Sequence, residues 1–145
     1  MNNQNKCTLV FLIQPANNIH EENKILLLKR KNDPAKDTYT GVGGHIESNE
    51  SPKQCALRET FEETGLELND IKILGYYNKI NSYIGYRLIK NLSNKFKEDE
   101  TIKTKEGILG LYDFGLLDDL EMTNESRNAL EFILKRIKLW NRKWH

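Results

Sequence analysis

Three glutamates stand close together near the middle of the chain, at Glu59, Glu62 and Glu63, with one arginine, Arg58, beside them. Carboxylates three or four residues apart lie on one side of a helix, where like charges repel each other. A divalent cation would relieve this repulsion, and Mg²⁺ is usually held by carboxylates together with substrate phosphates. The pattern therefore indicates a metal site for phosphate chemistry. The alternative is a solvated helix face with one Arg–Glu pair.

A glycine-rich segment, Gly41-Val42-Gly43-Gly44, comes shortly before these glutamates. Glycine lets the backbone approach a ligand closely. Such a turn can present carbonyl groups to a metal or amide groups to a phosphate. A simple turn would explain the glycines alone, but their position just before the carboxylates favours a shared site.

The helix that must position the glutamates is predicted over Ser51–Thr64. Ser51 and Gln54 have the spacing of a capping box, Pro52 suits the first helical position, and Gly65 suits the residue that ends a helix. With about 100° between successive residues, the three glutamates share one arc of about 100° opposite the core. The side chains predicted to face the core are Ala56, Leu57, Thr60, Phe61 and Thr64.

The stretch from Gly44 to Leu66 resembles the Nudix box, G-x5-E-x7-R-E-U-x-E-E-x-G-U, in which U is an aliphatic residue. Every glycine and charged position of the box is matched, including Glu50 after the first glycine. Thr60 departs from the pattern because it replaces an aliphatic residue. We expect the Thr60 side chain to pack in the core, with its hydroxyl bonded to the preceding helical turn.

The order of the predicted elements indicates an α/β or α+β domain. The resemblance implies an α/β/α sandwich around a mixed sheet, with one domain over residues 1–145. A second amphipathic helix is predicted over Asn124–Trp140, and residues 91–105 are predicted to form a loop. The predicted strands, of which the first two should pair as a hairpin, are Cys7–Ile13, Lys24–Lys29, Ile71–Asn78, Ser82–Ile89 and Ile108–Phe114.

By resemblance, the expected activity is hydrolysis of a nucleoside diphosphate linked to another group, with Mg²⁺ as cofactor and Mn²⁺ as a possible substitute. Arg58 is expected to orient the carboxylates, and Glu50 to support them without touching the metal. The general base varies across the family, so both Glu59 and the downstream Glu106 are candidates. The metal ligands that the resemblance implies are the Gly43 carbonyl, Glu59, Glu62 and Glu63.

Two other loop glutamates, Glu98 and Glu100, are rivals of Glu106 for the role of base, although any of the three could be a solvated loop charge. The basic cluster Lys29-Arg30-Lys31 could hold terminal phosphates, with Arg30 as the main candidate, or it could simply end a strand.

The substrate is expected to be a nucleoside triphosphate, because the box most resembles the MutT-type subgroup, which removes oxidised purine nucleotides such as 8-oxo-dGTP. Gly44 is expected to contact the substrate. Asn124 matches a purine-reading asparagine of that subgroup and also stands where a helix cap belongs. A dinucleoside polyphosphate or another nucleoside diphosphate derivative is the alternative substrate. A non-catalytic nucleotide-binding regulatory module is the alternative class.

The overall charge and the two cysteines exclude several other classes. The chain has 145 residues and a net charge of +1, from 22 basic and 21 acidic residues. Nothing in this balance indicates a nucleic-acid polymer as partner. Cys7 and Cys55 form no CxxC pattern, and the apolar run near the start is too short for a signal peptide or a membrane span. We therefore expect a cytoplasmic protein without a membrane partner, either a monomer or a homodimer.

Overall fold

A mixed sheet of seven strands, covered by helices on both faces, is the framework of the computed structural model, which describes residues 5–139. The strands are β1 (Cys7–Gln14), β2 (Lys24–Arg30), β3 (Tyr39–Thr40), β4 (Lys72–Tyr77), β5 (Ser82–Leu88), β6 (Ile102–Lys103) and β7 (Gly107–Asp113). The helices are α1 (Pro52–Thr64), α2 (Leu92–Lys95) and α3 (Asn124–Arg136), with 3₁₀ turns at Asn78–Ile80 and Phe114–Asp119.

The strands follow the order β4-β5-β1-β2-β7-β6, and β3 also pairs with β2. β1 and β5 are parallel, whereas the other pairs are antiparallel, and β1 with β2 forms the predicted hairpin. The predicted α/β sandwich around a mixed sheet is confirmed. The five predicted strands and the first helix each begin and end within one residue of the observed bounds.

Both faces of the sheet are buried, which explains why β1 is apolar at successive positions rather than alternating. On one face, Phe11 and Ile13 pack with Leu130 and Ile133 of α3. On the other face, apolar side chains of β1 and β2 pack with Ala56 of α1 and with residues of α2. The two layers of helices therefore fix α1 and α3 on opposite sides of the central strands.

Helix α1 begins and ends as its sequence predicts. The Ser51 side chain accepts a hydrogen bond from the Gln54 amide, both halves of the capping box are present, and Gly65 adopts the left-handed conformation at φ 75°. The prediction for Phe61 is wrong, because this side chain is 52% exposed. The buried arc is formed by Cys55, Ala56, Thr60 and Thr64. Phe61 lies about 60° outside that arc around the helix axis.

The expected hydrogen bond of Thr60 is also absent. Thr60 is fully buried, and its hydroxyl has no hydrogen-bond partner among the described residues. The Thr60 carbonyl instead accepts a hydrogen bond of 2.6 Å from the Thr64 hydroxyl. A polar atom therefore stands unpaired in the core, at the one position where the box departs from its usual aliphatic residue.

Three predictions about the second half of the chain need correction. The predicted loop at 91–105 contains α2 and the short strand β6. Helix α3 ends at Arg136, and the predicted end at Trp140 lies outside the described residues. Thr123 caps α3, since its side chain accepts from the Ser126 amide, so Asn124 is the first helical residue and not the cap. None of the helices within residues 5–139 has the length and apolar character needed to cross a bilayer.

The glycine-rich segment fills a wedge between β1 and β2. These strands pair only from Leu12 onward, whereas the earlier part of β1 bridges to Val42 and His45. A Cβ atom at Gly41 would overlap the Val10 carbonyl, and one at Gly43 would overlap the Thr8 carbonyl. Only glycine allows this close backbone approach. The sheet thereby positions the glycine segment against the start of β1.

Candidate active site

Gly44 brings the glycine segment directly against the glutamate cluster. A Cβ atom at Gly44 would overlap the carboxylate of Glu59. The Thr8 amide donates a hydrogen bond of 2.9 Å to the Gly44 carbonyl and so ties the segment to β1. The Glu59 side chain is 17% exposed. The site therefore joins one face of α1 to the wedge between the strands.

Arg58 holds most of the neighbouring carboxylates. Its Nε and Nη2 donate to the two oxygens of Glu50, at 2.7 and 3.0 Å. Its Nη1 donates to Glu59 at 2.8 Å and to Glu62 at 3.2 Å, and Nη2 donates to the His45 carbonyl at 3.0 Å. The hydrogen bonds from Arg58 lower the pKa of Glu50, and those to Glu50 are the largest cause of the raised pKa of Arg58. Arg58 is thus a fixed cation that orients the carboxylates.

Glu63 differs from its neighbours because one of its oxygens is buried without a partner. Within residues 5–139, no group forms a hydrogen bond with Glu63 Oε2. Burial raises the pKa of Glu63, and the charges of Glu106 and Glu62 raise it further. Burial also raises the pKa of Glu59, although Arg58 opposes this effect. An unpartnered, partly desolvated carboxylate is costly unless a cation binds it.

The turn between β6 and β7 brings a second group of residues to α1. Glu106 lies in this turn, close enough to Glu63 for its charge to act on that carboxyl group. Thr104 interacts with Glu63 as a hydrogen-bond partner that lowers the glutamate pKa. The Lys31 amide donates to the Glu106 carbonyl at 3.2 Å, which anchors the turn to the end of β2. The downstream position of Glu106 made it a candidate from the sequence, but no local signal indicated Thr104.

The rival glutamates lie elsewhere. Glu98 forms an ion pair with Lys24, which also binds Asp113 at 2.6 Å. Lys24 begins β2, whereas the turn with Glu106 is attached at the other end of that strand. Glu98 therefore lies at the other end of β2 from Glu106, and it is absent from the described lining of the cleft. Glu100 is exposed and is absent from the described lining of the cleft.

A cleft of about 690 Å³ extends from Glu59 and Glu106 across the wedge toward the start of α3. Arg30 lines this cleft, and its Nε donates to the Pro34 carbonyl at 3.0 Å. The predicted site residues that line the same cleft are Arg30, Gly43, Gly44, Arg58, Glu59 and Glu106. The structure therefore brings residues from β2, the glycine segment, α1 and the β6–β7 turn to one concave surface.

The start of α3 contributes different residues from the one predicted. Asn124 is exposed and is absent from the described cleft lining, whereas Thr123, Glu125 and Ser126 line it. The Thr40 and Ser126 hydroxyls lie 3.3 Å apart and connect β3 to α3. Sequence reasoning reached this part of the chain but selected the neighbouring side chain, because the direction of the first helical turn depends on how α3 packs.

The chemistry of the site suits a hard divalent cation, because its candidate ligands are carboxylate and carbonyl oxygens. The buried, unpartnered Glu63 Oε2 is the feature that fits a cation best. Within the described part of the chain, no three acidic, histidine or cysteine side chains already form a set of metal ligands. Arg58 engages Glu59 and Glu62. Binding a metal would therefore require these carboxylates to reorient.

The sequence profile of the NUDIX domain matches residues 10–126, which is most of the chain. The chain therefore belongs to the Nudix family. An ADP-ribose pyrophosphatase of Methanocaldococcus jannaschii is 43% identical over 60 residues, which make up 41% of this chain and 36% of that protein. An RNA pyrophosphohydrolase of Hydrogenovibrio crunogenus is 30% identical over 116 residues, which make up 79% of this chain and 64% of that protein. The chain thus spans 36% and 64% of the lengths of these two relatives.

The fold is also similar to that of solved Nudix structures. The NUDIX domain of Shewanella oneidensis NrtR, solved in complex with ADP ribose, superposes with a TM-score of 0.70 at 16% sequence identity. The superposition covers 94% of this chain and 90% of that chain. At this level of identity, the likeness establishes the shared fold.

Proposed function

We propose that this chain hydrolyses a phosphoanhydride bond of a nucleoside polyphosphate in a reaction that depends on a divalent metal. The observation that carries the proposal is the buried, unpartnered carboxylate oxygen of Glu63, which lies on the same helix as Glu59 and near Glu106, and both Glu59 and Glu106 line the cleft. Membership of the Nudix family supports it, as do the names of the two relatives, a pyrophosphatase and a pyrophosphohydrolase.

The carboxylates of α1 would hold Mg²⁺, or Mn²⁺ in its place. The bound metal would neutralise phosphate charge and lower the pKa of the attacking water. We assign Glu59 and Glu63 as the principal ligands, with Glu62 and the Gly43 carbonyl as further ligands. The two carbonyls on either side of Gly43, those of Val42 and Gly44, accept hydrogen bonds from backbone amides of β1.

Arg58 and Glu50 act by positioning the ligands. Their two-pronged ion pair, at 2.7 and 3.0 Å, connects the loop before α1 to the middle of the helix. Such a pair restricts the guanidinium in direction as well as in distance. Arg58 can therefore release Glu59 or Glu62 to a metal and still be held in place by Glu50 and the His45 carbonyl.

Glu106 is our candidate for the general base. It lines the cleft and is exposed, so it can reach a water molecule near the ligands. Glu59 is the second candidate, but its carboxylate is already engaged by Arg58 and is assigned to the metal. Arg30 lies in the same cleft and would bind terminal phosphates, while Gly44 offers close backbone approach.

We propose a nucleoside triphosphate as substrate, with a nucleoside monophosphate and pyrophosphate as products. Oxidised purine triphosphates such as 8-oxo-dGTP belong to this class. The names of the two relatives refer to ADP-ribose and to RNA, so both kinds of compound belong in the test. A dinucleoside polyphosphate would present the same phosphate chain to the site.

The test is a screen of the full chain with Mg²⁺ or Mn²⁺ against these four classes of compound, with the products identified by chromatography. Cleavage of a triphosphate to monophosphate and pyrophosphate supports the proposal. If no compound is cleaved with either metal, the hydrolase proposal is wrong. Nucleotide binding without cleavage would then favour the regulatory alternative.

A pair of matched variants tests the metal site. Glu59→Gln removes the charge of an assigned ligand and should lower kcat at least 100-fold with the fold retained. Glu67→Gln removes the same charge from an exposed residue just beyond α1 and should leave kcat within about two-fold, as expected for a surface change. Equal rates for both variants would contradict the ligand assignment.

A further inference from the structure

A single hydroxyl group, that of Thr104, holds together the turn that carries Glu106. This turn connects Lys103, the last residue of β6, to Gly107, the first residue of β7. The Thr104 Oγ1 atom accepts hydrogen bonds from the backbone amides of Glu106, at 3.1 Å, and of Gly107, at 3.2 Å. The Thr104 amide donates to the Gly107 carbonyl at 2.7 Å. The turn is therefore closed around the Thr104 side chain.

The closed turn is also fixed against the neighbouring strand β2. The Lys31 amide donates to the Glu106 carbonyl at 3.2 Å, and a Cβ atom at Gly107 would overlap the Lys29 carbonyl. Only glycine allows so close an approach between two backbones. These contacts do not involve the Thr104 side chain, so we expect them to keep the turn in place when that side chain is changed.

The proton of the Thr104 hydroxyl is directed to Glu63. A hydroxyl group has one proton to donate and two lone pairs that accept. Both lone pairs of Thr104 are used by the amides of the turn, so its bond to the Glu63 carboxyl group uses the proton. The Gly107 carbonyl lies 3.2 Å from the same hydroxyl, but it already accepts from the Thr104 amide. A carboxylate is also the stronger acceptor, because it carries a charge.

This bond gives the two oxygens of Glu63 different environments. Glu63 Oε2 is buried and has no hydrogen-bond partner among residues 5–139, so the Thr104 proton serves the other oxygen, Oε1. A carboxylate held at Oε1 is restricted in rotation, and its Oε2 stays available for a cation. Removing the partner that orients a ligating carboxylate typically costs about 10- to 100-fold in metal affinity or activity.

We propose that Thr104 is a positioning residue that sets two groups of the site at once, the free carboxylate oxygen of Glu63 and the backbone of Glu106. The inference rests on the proposed function for the roles of Glu63 as a metal ligand and of Glu106 as the base. Thr104 needs no contact of its own with the metal or the substrate. Its hydroxyl links α1 to the β6–β7 turn, two elements that are far apart in the sequence.

The first test measures the binding of Mn²⁺ to the full chain by calorimetry, without substrate. Thr104→Val keeps the shape of the side chain and removes the hydroxyl, so it should weaken Mn²⁺ binding about 10- to 100-fold. Thr104→Ser keeps the hydroxyl and should bind Mn²⁺ nearly as tightly as the wild type. Thr101→Val makes the same change at an exposed residue just before β6 and should leave the affinity within about two-fold of the wild type.

An unchanged Mn²⁺ affinity in Thr104→Val, with circular dichroism showing a folded protein, would overturn the inference. Thr104→Ala removes the hydroxyl together with the methyl group, and it repeats the test if the valine variant does not fold. Equally weak binding in Thr104→Ser and Thr104→Val would also overturn the inference, because the hydroxyl would then not be the group that matters.

Turnover tests the link to Glu106. At saturating Mn²⁺, Thr104→Val should lower kcat about 10-fold or more, with little change in KM, because Thr104 does not touch the substrate. In the Glu106→Gln background the base is already lost, so Thr104→Val should lose most of its effect on kcat. The full effect of Thr104→Val in both backgrounds would show that Thr104 does not act through Glu106.

The combined results separate this inference from the proposed function. A wild type that cleaves nucleotides and a Thr104→Val variant with the same kcat and Mn²⁺ affinity would overturn the role of Thr104 and leave the hydrolase intact. Weaker Mn²⁺ binding in Thr104→Val, without cleavage of any compound by the wild type, would support the link to Glu63 and contradict the hydrolase. A wild type that binds no Mn²⁺ would overturn both.

Discussion

Replacing Glu63 with glutamine should make the metal-free protein more stable while removing its activity. In the wild type, one carboxylate oxygen of Glu63 is buried without a partner, and burial is the largest cause of its raised pKa. The neighbouring charges of Glu106 and Glu62 act in the same direction. Glutamine keeps the shape of the side chain and removes the charge, so it also removes this repulsion.

The expected gain is the extra cost of leaving a charged rather than a neutral buried group unpaired, about 1 kcal/mol, because the glutamine amide is itself an unpaired polar group at this position. For a domain of this length, 1 kcal/mol changes the melting temperature by about 4 °C, so Glu63→Gln should melt about 4 °C higher at pH 7. Because the folded-state pKa of Glu63 is raised, the wild type loses stability relative to the variant as the pH rises through that pKa. Below the unfolded-state pKa the carboxyl group is protonated in both states, and the advantage of the variant should vanish there.

The assay is thermal unfolding followed by circular dichroism, in EDTA from pH 4 to pH 8 and then in excess Mg²⁺. Glu62→Gln is the matched control, because Glu62 is 54% exposed and its replacement should change stability by less than about 0.5 kcal/mol. Metal at 100 times its dissociation constant should stabilise the wild type by about 2.7 kcal/mol and the Glu63 variant by much less. A Glu63→Gln protein that is less stable than the wild type in EDTA at pH 7, or equally stabilised by Mg²⁺, would refute this reasoning.

Three further predictions concern residues around the site. Thr60→Val replaces a buried, unpartnered hydroxyl with a methyl group and should raise the free energy of unfolding by about 1–2 kcal/mol. Urea denaturation measures this change, and an unchanged midpoint would show that the hydroxyl is satisfied. Burial raises the pKa of the Cys55 thiol to about 11. Between about pH 8.5 and 11, the folded state therefore retains a thiol proton that the unfolded state loses. The stability difference between wild type and Cys55→Ala should shrink as the pH rises through this range, and a constant difference would contradict this. Gly44→Ala should lower kcat at least 10-fold with little loss of stability, because the added methyl group displaces the flexible Glu59 side chain. Gly43→Ala should instead lower the melting temperature, because its methyl group would overlap backbone atoms that cannot move aside. Equal melting temperatures for the two alanine variants would contradict that distinction.

The sequence predicted the parts of this protein that depend on local patterns. The capping box, the proline and the terminal glycine of α1 act within a few residues, so its bounds could be predicted closely. The bounds of the five predicted strands could be predicted equally closely, since each contains a short run of apolar or aromatic residues. The spacing from Gly44 to Leu66 sufficed to identify the box and its carboxylates.

Other features depended on which surfaces meet in the folded chain. Phe61 was assigned to the core because periodicity gives only the angles between residues, whereas in the structure the buried arc of α1 is rotated away from Phe61 toward Cys55. The periodicity also could not show that the Thr60 hydroxyl has no acceptor in reach. Both errors arise because packing depends on the surfaces of α1 and of the sheet together, and the sequence of the helix describes only one of them.

The sequence by itself determined that a carboxylate helix follows a glycine segment, because both features are local and chemically demanding. Only the tertiary structure decided which distant residues join them. The sheet attaches Glu106 to the end of β2 that lies near α1, and it pairs Glu98 with Lys24 elsewhere. The packing of α3 directs Glu125, rather than Asn124, into the cleft. Strand order and helix rotation set these encounters, and both follow from the burial of side chains far apart in the chain.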